Sequence, residues 1–296
     1  MNVVLIGLGN IARYHIAALA ATPRYVLCGV CDSRPEAASA RLAGHVPFYR
    51  DYVQMLDSLR PDIAVIATPP SSHYAIATAC VQRGVTPFVE KPLAANGAEA
   101  KRFFEAPLQG RFVPMYHTVY GEELIWLEKH CPLRRIKSIR MELSDPYADT
   151  NGQIEAQYVR LGGSWLDSAP NALAPLFRLL PETPIEDIRL THQTDSLSGL
   201  PYHTEFQARA GQTRIAIEVD WHKGINRKRT FIEADGHHYL LHHSEQSVTR
   251  DGELLFAYKG QDRLTRQYTN LYQLYPARVP SEAVVQAMSE IIYKTI

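Results

Sequence analysis

The strongest constraint on the fold lies in the first dozen residues. An apolar run, Val3-Val4-Leu5-Ile6, passes directly into Gly7-Leu8-Gly9-Asn10-Ile11-Ala12 and then into a helical pattern. A strand that turns through two glycines into a helix opens a βαβ unit. The first glycine permits a tight turn, the second leaves the backbone approachable, and the small Ala12 lets helix pack on strand. Asp32 stands 20 residues past Ala12, at the end of the next apolar run. The pattern predicts a dinucleotide whose phosphates meet the helix N-terminus, where free N–H groups and the dipole favour anions. Gly7, Gly9, Asn10 and Ile11 line that turn, and Asp32 takes the adenosine ribose. Asp32 favours NAD over NADP, whereas Ser33 and Arg34 beside it could receive a 2′-phosphate and leave NADP open.

The rest of the first half continues the same grammar. Apolar runs at 3–6, 26–31, 63–67 and 86–89 read as strands, with 112–115 adding one more, and 11–21, 35–43 and 71–83 read as helices. Nearly continuous apolar strands alternating with helices indicate a parallel sheet covered on both faces. From about residue 133 the pattern changes to strands in sequence: 136–143, 185–192, 205–210, 213–219, 230–233, 239–242 and 253–257, with Asp235-Gly236 and Asp251-Gly252 as hairpin turns. One helix at 166–180 interrupts this run, and helices at 264–275 and 281–295 close the chain. The expected fold is therefore α/β: a Rossmann-type doubly wound parallel sheet over 1–118, then an α+β domain over 119–296 with a large, mostly antiparallel sheet. The closing helices are free to pack back on the first domain.

Charge excludes some partners. Lys and Arg total 31, as do Asp and Glu, so no bulk field attracts nucleic acid or an anionic membrane. The chain opens without a basic segment and holds no stretch of about 20 apolar residues, so a cytoplasmic protein with a small-molecule partner is expected. Cys28 and Cys31 form a C-x-x-C inside a strand. Three residues apart, they point to opposite faces and read as packed strand cysteines. His238 and His242 fall on one strand face, but no cysteine completes a ligand set, and no metal is expected. Arg227-Lys228-Arg229 reads as a solvated turn.

Glu90-Lys91-Pro92 directly follows the strand at 86–89, at the carboxyl edge where open α/β sheets bind ligands. A lysine beside a cationic nicotinamide ring would readily exchange a proton near neutral pH. With these residues the chain resembles the Gfo/Idh/MocA oxidoreductase family. The likeness rests on the glycine turn with His15, on Ala67-Thr68-Pro69-Pro70-Ser71-Ser72-His73, on Glu90-Lys91-Pro92, and on Gly162-Gly163-Ser164-Trp165-Leu166-Asp167-Ser168-Ala169-Pro170-Asn171. The resemblance implies that Thr68, Pro69, His73, Glu90 and Lys91 lie beside the cofactor. It implies catalytic roles for Lys91 and Asp167, with Asn171 at a position that is histidine in most members. Asp followed by Asn, together with Tyr116-His117, is similar to the family's aldose 1-dehydrogenase branch.

That branch has a tryptophan- and histidine-rich stretch before the glycine pair, whereas this chain has Asp145-Pro146-Tyr147-Ala148-Asp149-Thr150-Asn151. The implied substrate contacts are His117, Trp165, Asp167 and Asn171. Asp167 and Asn171, four residues apart, share one helix face; an N-cap is the structural alternative for Asp167. Tyr147, Tyr158 and Tyr202 could line a sugar pocket by stacking. The expected reaction is reversible hydride transfer between nicotinamide and a sugar or polyol carbon. A biosynthetic carbonyl or imine reductase and a cofactor-binding sensor without turnover are the rivals. Family members often associate through the sheet of the second domain, which makes a homo-oligomer the expectation.

Overall fold

Six strands form the first sheet: β1 (Asn2–Ile6), β2 (Val26–Cys31), β3 (Phe48–Tyr49), β4 (Ile63–Ile66), β5 (Thr86–Glu90) and β6 (Val113–Met115). Their order is β3-β2-β1-β4-β5-β6, and every pairing is parallel. β4 is entirely buried and β1 is buried after Asn2, as a sheet covered on both faces requires. The order reverses between β1 and β4, and ligands of such sheets lie outside the carboxyl ends at that point. The linking helices are α1 (Ala12–Ala20), α2 (Tyr52–Leu59), α3 (His73–Gln82) and α4 (Gly97–Arg102).

The computed structural model describes residues 1–34, 46–181 and 183–294. The helix expected at 35–43 lies outside them. β3, α2 and α4 escaped the periodicity reading because each offers at most two turns or one residue pair of pattern. The two strand cysteines are free; Cys31 is buried, and half-buried Cys28 donates its thiol to Val3 O.

The second sheet has eight strands in the order β14-β13-β12-β11-β7-β10-β9-β8. They are β7 (Ile136–Ser144), β8 (Glu186–Thr194), β9 (Pro201–Ala210), β10 (Thr213–Asp220), β11 (Arg227–Ala234), β12 (His237–His242), β13 (Ser247–Arg250) and β14 (Glu253–Ala257). Only β7 and β10 pair in parallel. Buried and accessible residues alternate along β9, β10 and β11, so the sheet has one packed face and one open face. The hairpin turns carry positive φ at both central residues, 53° and 86° at Asp235-Gly236 and 52° and 86° at Asp251-Gly252, as two-residue hairpins prefer. β13 was not expected; it is four residues long and lies between two turns.

The helices here are α5 (Glu122–His130), α6 (Ala156–Val159) and α7 (Ser164–Leu179), with α8 (Arg263–Leu274) and α9 (Glu282–Tyr293) closing the chain. α7 packs across β9, β10 and β7. Its buried face includes Leu166, Leu173, Leu176 and Phe177, and Trp165 stacks on Phe206 of β9 at 5.6 Å. By contact the residues form two compact units. One comprises Met1–Tyr116 with Leu264–Lys294, and the other His117–Arg263. No helix among the described residues is long and apolar enough to cross a membrane.

Candidate active-site residues

The glycine turn after β1 is shaped by steric need on one side and open space on the other. Gly7 has φ +95°, and a Cβ there would lie 2.5 Å from Ala67 O, at the end of β4. A Cβ on Gly9 would meet nothing within 4 Å, which leaves room for a ligand against the backbone. No side chain caps α1; Ala12 N donates to Gly9 O at 3.1 Å and Tyr14 N to Ile11 O at 3.0 Å, and the helix dipole still favours an anion at this end. Asp32 closes the turn from β2: its Oδ2 accepts from Leu8 N at 2.8 Å and its Oδ1 from Arg34 N at 2.9 Å. Burial works to raise the Asp32 pKa, but these N–H groups and the Arg34 guanidinium outweigh it and hold the carboxyl below its ordinary value. The carboxyl at the end of β2 is thus ionised and paired with Arg34, whose Nε lies 3.3 Å away.

After β4, Thr68 and Pro69 form the turn into α3, and Ser72 Oγ lies 2.7 Å from Thr68 Oγ1. His73 is fully buried. Its Nε2 is 2.9 Å from Thr68 O and its Nδ1 is 3.2 Å from Leu93 O, so it ties this turn to the segment after β5. Burial lowers its pKa against the pull of those carbonyls. In its neutral form the imidazole carries one N–H, so it donates to one of these two carbonyl oxygens and packs against the other.

Glu90, expected beside the cofactor, is a buried junction. Its Oε1 accepts from the Tyr268 hydroxyl at 2.5 Å and lies 3.0 Å from His15 Nε2, while Oε2 accepts from Lys91 N at 3.0 Å. His15 Nδ1 in turn lies 2.9 Å from the Tyr272 hydroxyl. The carboxylate thereby fixes the peptide that carries half-buried Lys91. Sequence reading missed Tyr268 and Tyr272, which act from the far end of the chain.

In the second unit, Gly163 is the N-cap of α7, and Asp167 N donates to Gly163 O at 3.2 Å. Asp167 therefore sits one turn inside the helix and does not cap it. Asp167 and Asn171 are half-buried on a helix that is otherwise mostly buried. Trp165, expected to touch substrate, is fully buried against Phe206 and belongs to the packing of α7 on the sheet. His117 is buried at the start of the 3-10 turn His117–Tyr120.

The run Arg227-Lys228-Arg229 is not a solvated turn. It starts β11, and alternation carries Lys228 to the packed face, where its Nζ donates to Asp145 Oδ1 at 2.7 Å. Asn226 Nδ2 donates to the same oxygen at 2.6 Å. Burial pushes the Lys228 pKa down, Asp145 opposes the fall, and Arg263 adds to it. Next to this pair Tyr147 stacks on Tyr158 at 4.1 Å and meets Trp221 edge-on at 5.2 Å.

Among the described residues, His203, Asp220 and His222 form the group whose atoms cluster as metal ligands would. The carboxylate is already occupied: His203 Nδ1 lies 3.0 Å away, His222 N donates at 2.9 Å, and Lys223 Nζ stands at 3.5 Å. His238 and His242 do not join such a group. His237 pairs with Asp251, and His243 lies between Glu123 and Thr230.

The parallel order, the glycine turn at its reversal and the acid closing β2 define a dinucleotide-binding Rossmann unit. Residues 1–109 match the model of the oxidoreductase family GFO_IDH_MocA, described by its NAD-binding Rossmann fold. Inositol 2-dehydrogenase 1 of Saccharopolyspora erythraea is 31% identical over 131 residues, 39% of each chain. Levoglucosan dehydrogenase of Pseudarthrobacter phenanthrenivorans is 35% identical over 127 residues, 39% of this chain and 32% of that one. The chain thus matches two-fifths or less of the length of these relatives. UDP-N-acetylglucosamine 3-dehydrogenase GnnA from Acidithiobacillus ferrooxidans has a similar solved structure. The TM-score is 0.80, with 99% of this chain and 96% of that one covered at 17% identity, a likeness of fold.

Proposed function

We propose that the chain is a nicotinamide-dependent dehydrogenase of sugars or sugar-like polyols, acting at a CH–OH carbon. The observation that carries the reading is the carboxyl edge of the first sheet. There an open glycine turn and an ionised Asp32 share one edge with Lys91, whose peptide is anchored by Glu90. The residues fit the cofactor: Gly7, Gly9, Asn10 and Ile11 would hold the pyrophosphate, Asp32 the ribose, and Thr68 and Pro69 the adjoining turn. The ionised carboxylate at the ribose position favours NAD over a 2′-phosphorylated cofactor.

When bound, the nicotinamide supplies the hydride acceptor. Lys91 Nζ takes the hydroxyl proton as the C–H bond breaks, while Asp167 and Asn171 accept and donate hydrogen bonds to the sugar hydroxyls. Asn171 exchanges no proton, which leaves Lys91 as the proton carrier. The inositol and levoglucosan dehydrogenases similar to this chain support a polyol or sugar substrate. Self-association through the open face of the second sheet and a cytoplasmic setting complete the reading.

The test is an assay of aldoses, polyols and cyclitols with both cofactors, following nicotinamide absorbance. Lys91→Met should lower kcat by roughly 10²–10⁴-fold, the worth of a positioned acid–base group, with NADH affinity within about twofold of wild type. Tight NADH binding without turnover across the panel would overturn the reading in favour of a sensor.

A further inference from the structure

The β9–β10 hairpin sets two guanidiniums side by side. Arg209 and Arg214 face each other in register across the pair, next to the hairpin turn, and both are exposed. Residues opposite one another in an antiparallel pair project to the same face with Cβ atoms about 4.5–5.5 Å apart, and like charges so placed destabilise the sheet. Glu186 of β8 stands in register with Arg209, but among the described residues neither arginine forms an ion pair. Folding alone gains nothing from this juxtaposition.

The two arginines line one side of a cavity of about 810 Å³, and Arg134, Arg135 and Lys137, at the entry to β7, line another. All five are exposed, and none of the described residues lining the cavity is Asp or Glu. Two of the five already have a partner outside it. Lys137 Nζ donates to Glu233 at 3.0 Å, and Arg135 Nε stands 3.8 Å from Asp235 Oδ1. Arg134, Arg209 and Arg214 remain for a ligand. The size of the cavity excludes a lone small ion as its natural occupant, because it falls in the range of about 300–1,000 Å³ usual for small-molecule sites. Leu133, Ile136 and Pro181 give it an apolar wall beside the cations. Arginine forks match the oxygens of phosphate bidentately. The balanced charge of the whole chain, 31 against 31, offers no extended field for a long polyanion, so a small molecule fits better than nucleic acid.

We propose that this cavity binds a phosphorylated small molecule of nucleotide size, at a site distinct from the glycine turn. Its phosphates meet Arg134, Arg209 and Arg214, and its apolar part lies along Leu133, Ile136 and Pro181. Binding supplies the counter-charge that the Arg209–Arg214 pair lacks. The site is built wholly from the second unit, and it stands whether or not the chain is a dehydrogenase.

The test is calorimetric titration of the full chain, held in saturating NADH so that the glycine turn is filled, with ATP, inorganic tripolyphosphate and adenosine. ATP should bind tightest, tripolyphosphate more weakly and adenosine not measurably, and the ATP affinity should fall as salt rises. Arg209→Gln combined with Arg214→Gln should weaken ATP binding by roughly 100-fold, at about tenfold or more for each charge-assisted bond lost. Without ligand, the same double variant should melt at or above wild type in low salt, because a like-charged pair has been removed. Its weaker binding then reports the ligand and not a damaged fold. No ATP binding by wild type, or binding by the double variant within about threefold of wild type, overturns the site. ATP bound no tighter than tripolyphosphate overturns the apolar wall as part of it. A double variant that melts well below wild type shows that the two arginines serve the fold, and overturns the proposal as well.

Discussion

The two glycines of the first turn should fail in opposite ways when each is given a methyl group. Gly7 has φ +95°, and its added Cβ would sit 2.5 Å from a main-chain carbonyl oxygen. Forcing an L-residue into such a conformation costs about 1–3 kcal/mol, and a backbone neighbour cannot rotate away. A total of about 3 kcal/mol, at roughly 2–4 °C per kcal/mol for a protein of this size, lowers Tm by roughly 6–12 °C. Gly9→Ala meets nothing within 4 Å, so its Tm without cofactor should match wild type. Its methyl group instead occupies the approach to the pyrophosphate. Losing one charge-assisted hydrogen bond there weakens binding by roughly 10- to 100-fold. Calorimetry without cofactor and fluorescence titration with NADH separate the two effects. Equal loss of Tm in both variants, or NADH binding by Gly9→Ala as tight as wild type, would refute the assignment of this face to the cofactor.

Two predictions concern the second unit. Lys228→Met leaves Asp145 buried without its ammonium and should cost about 3–5 kcal/mol in urea unfolding, whereas Lys228→Met with Asp145→Leu should regain most of that loss; additive losses would show that the pair is not coupled. At the His203–Asp220 contact, the partner carboxylate raises the His203 pKa above its ordinary 6.5 despite burial. The Asp220 pKa falls well below 3.8, because His203, the His222 N–H and Lys223 outweigh burial. The His203 contribution is complete below pH 6.5 and fades as pH rises through its raised pKa. The Asp220 contribution is complete above 3.8 and fades as pH falls below it. The stability deficit of Asp220→Asn should therefore be largest between about pH 4 and 6.5. A deficit independent of pH, from urea midpoints at pH 4–9, would contradict the pairing.

Local signals were legible. The Gly7–Ala12 turn, Asp32, and the two Asp-Gly hairpins each state their geometry within a few neighbouring residues, and the observed turns carry the positive φ that those residues tolerate. α7 could be read through Pro170 and Pro175 because its apolar spacing runs on across both. What stayed hidden depends on distant partners. Lys228 looked like one member of a basic run, and only its place in β11 and an aspartate 83 residues away turn it into a buried ion pair. Trp165 was a substrate contact implied by the family resemblance, but helix phase sends it into the core against Phe206.

The compact unit that contains the glycine turn and Lys91 is not one contiguous segment: Leu264–Lys294 belongs to it together with Met1–Tyr116. His15 and Glu90, both buried, are partnered by Tyr272 and Tyr268 of α8, 257 and 178 residues further along the chain. Tyr272 also packs edge-on against Tyr25 at 5.5 Å, and Arg24 donates to its carbonyl oxygen at 2.6 Å. A fragment ending at residue 118 would keep every glycine-turn residue and Lys91. It would lose these hydroxyls and expose the apolar surface of β5 around Phe88, which meets Tyr275 at 4.9 Å. Each buried acceptor left without a donor costs about 1–3 kcal/mol, against a total stability of about 5–15 kcal/mol. The fragment should therefore melt well below the intact chain and bind NADH weakly. A peptide spanning 264–296, added in trans, should restore part of both. A fragment with an intact Tm and NADH affinity would mean that α8 merely rests on the sheet, and that Lys91 owes its position to β5 alone.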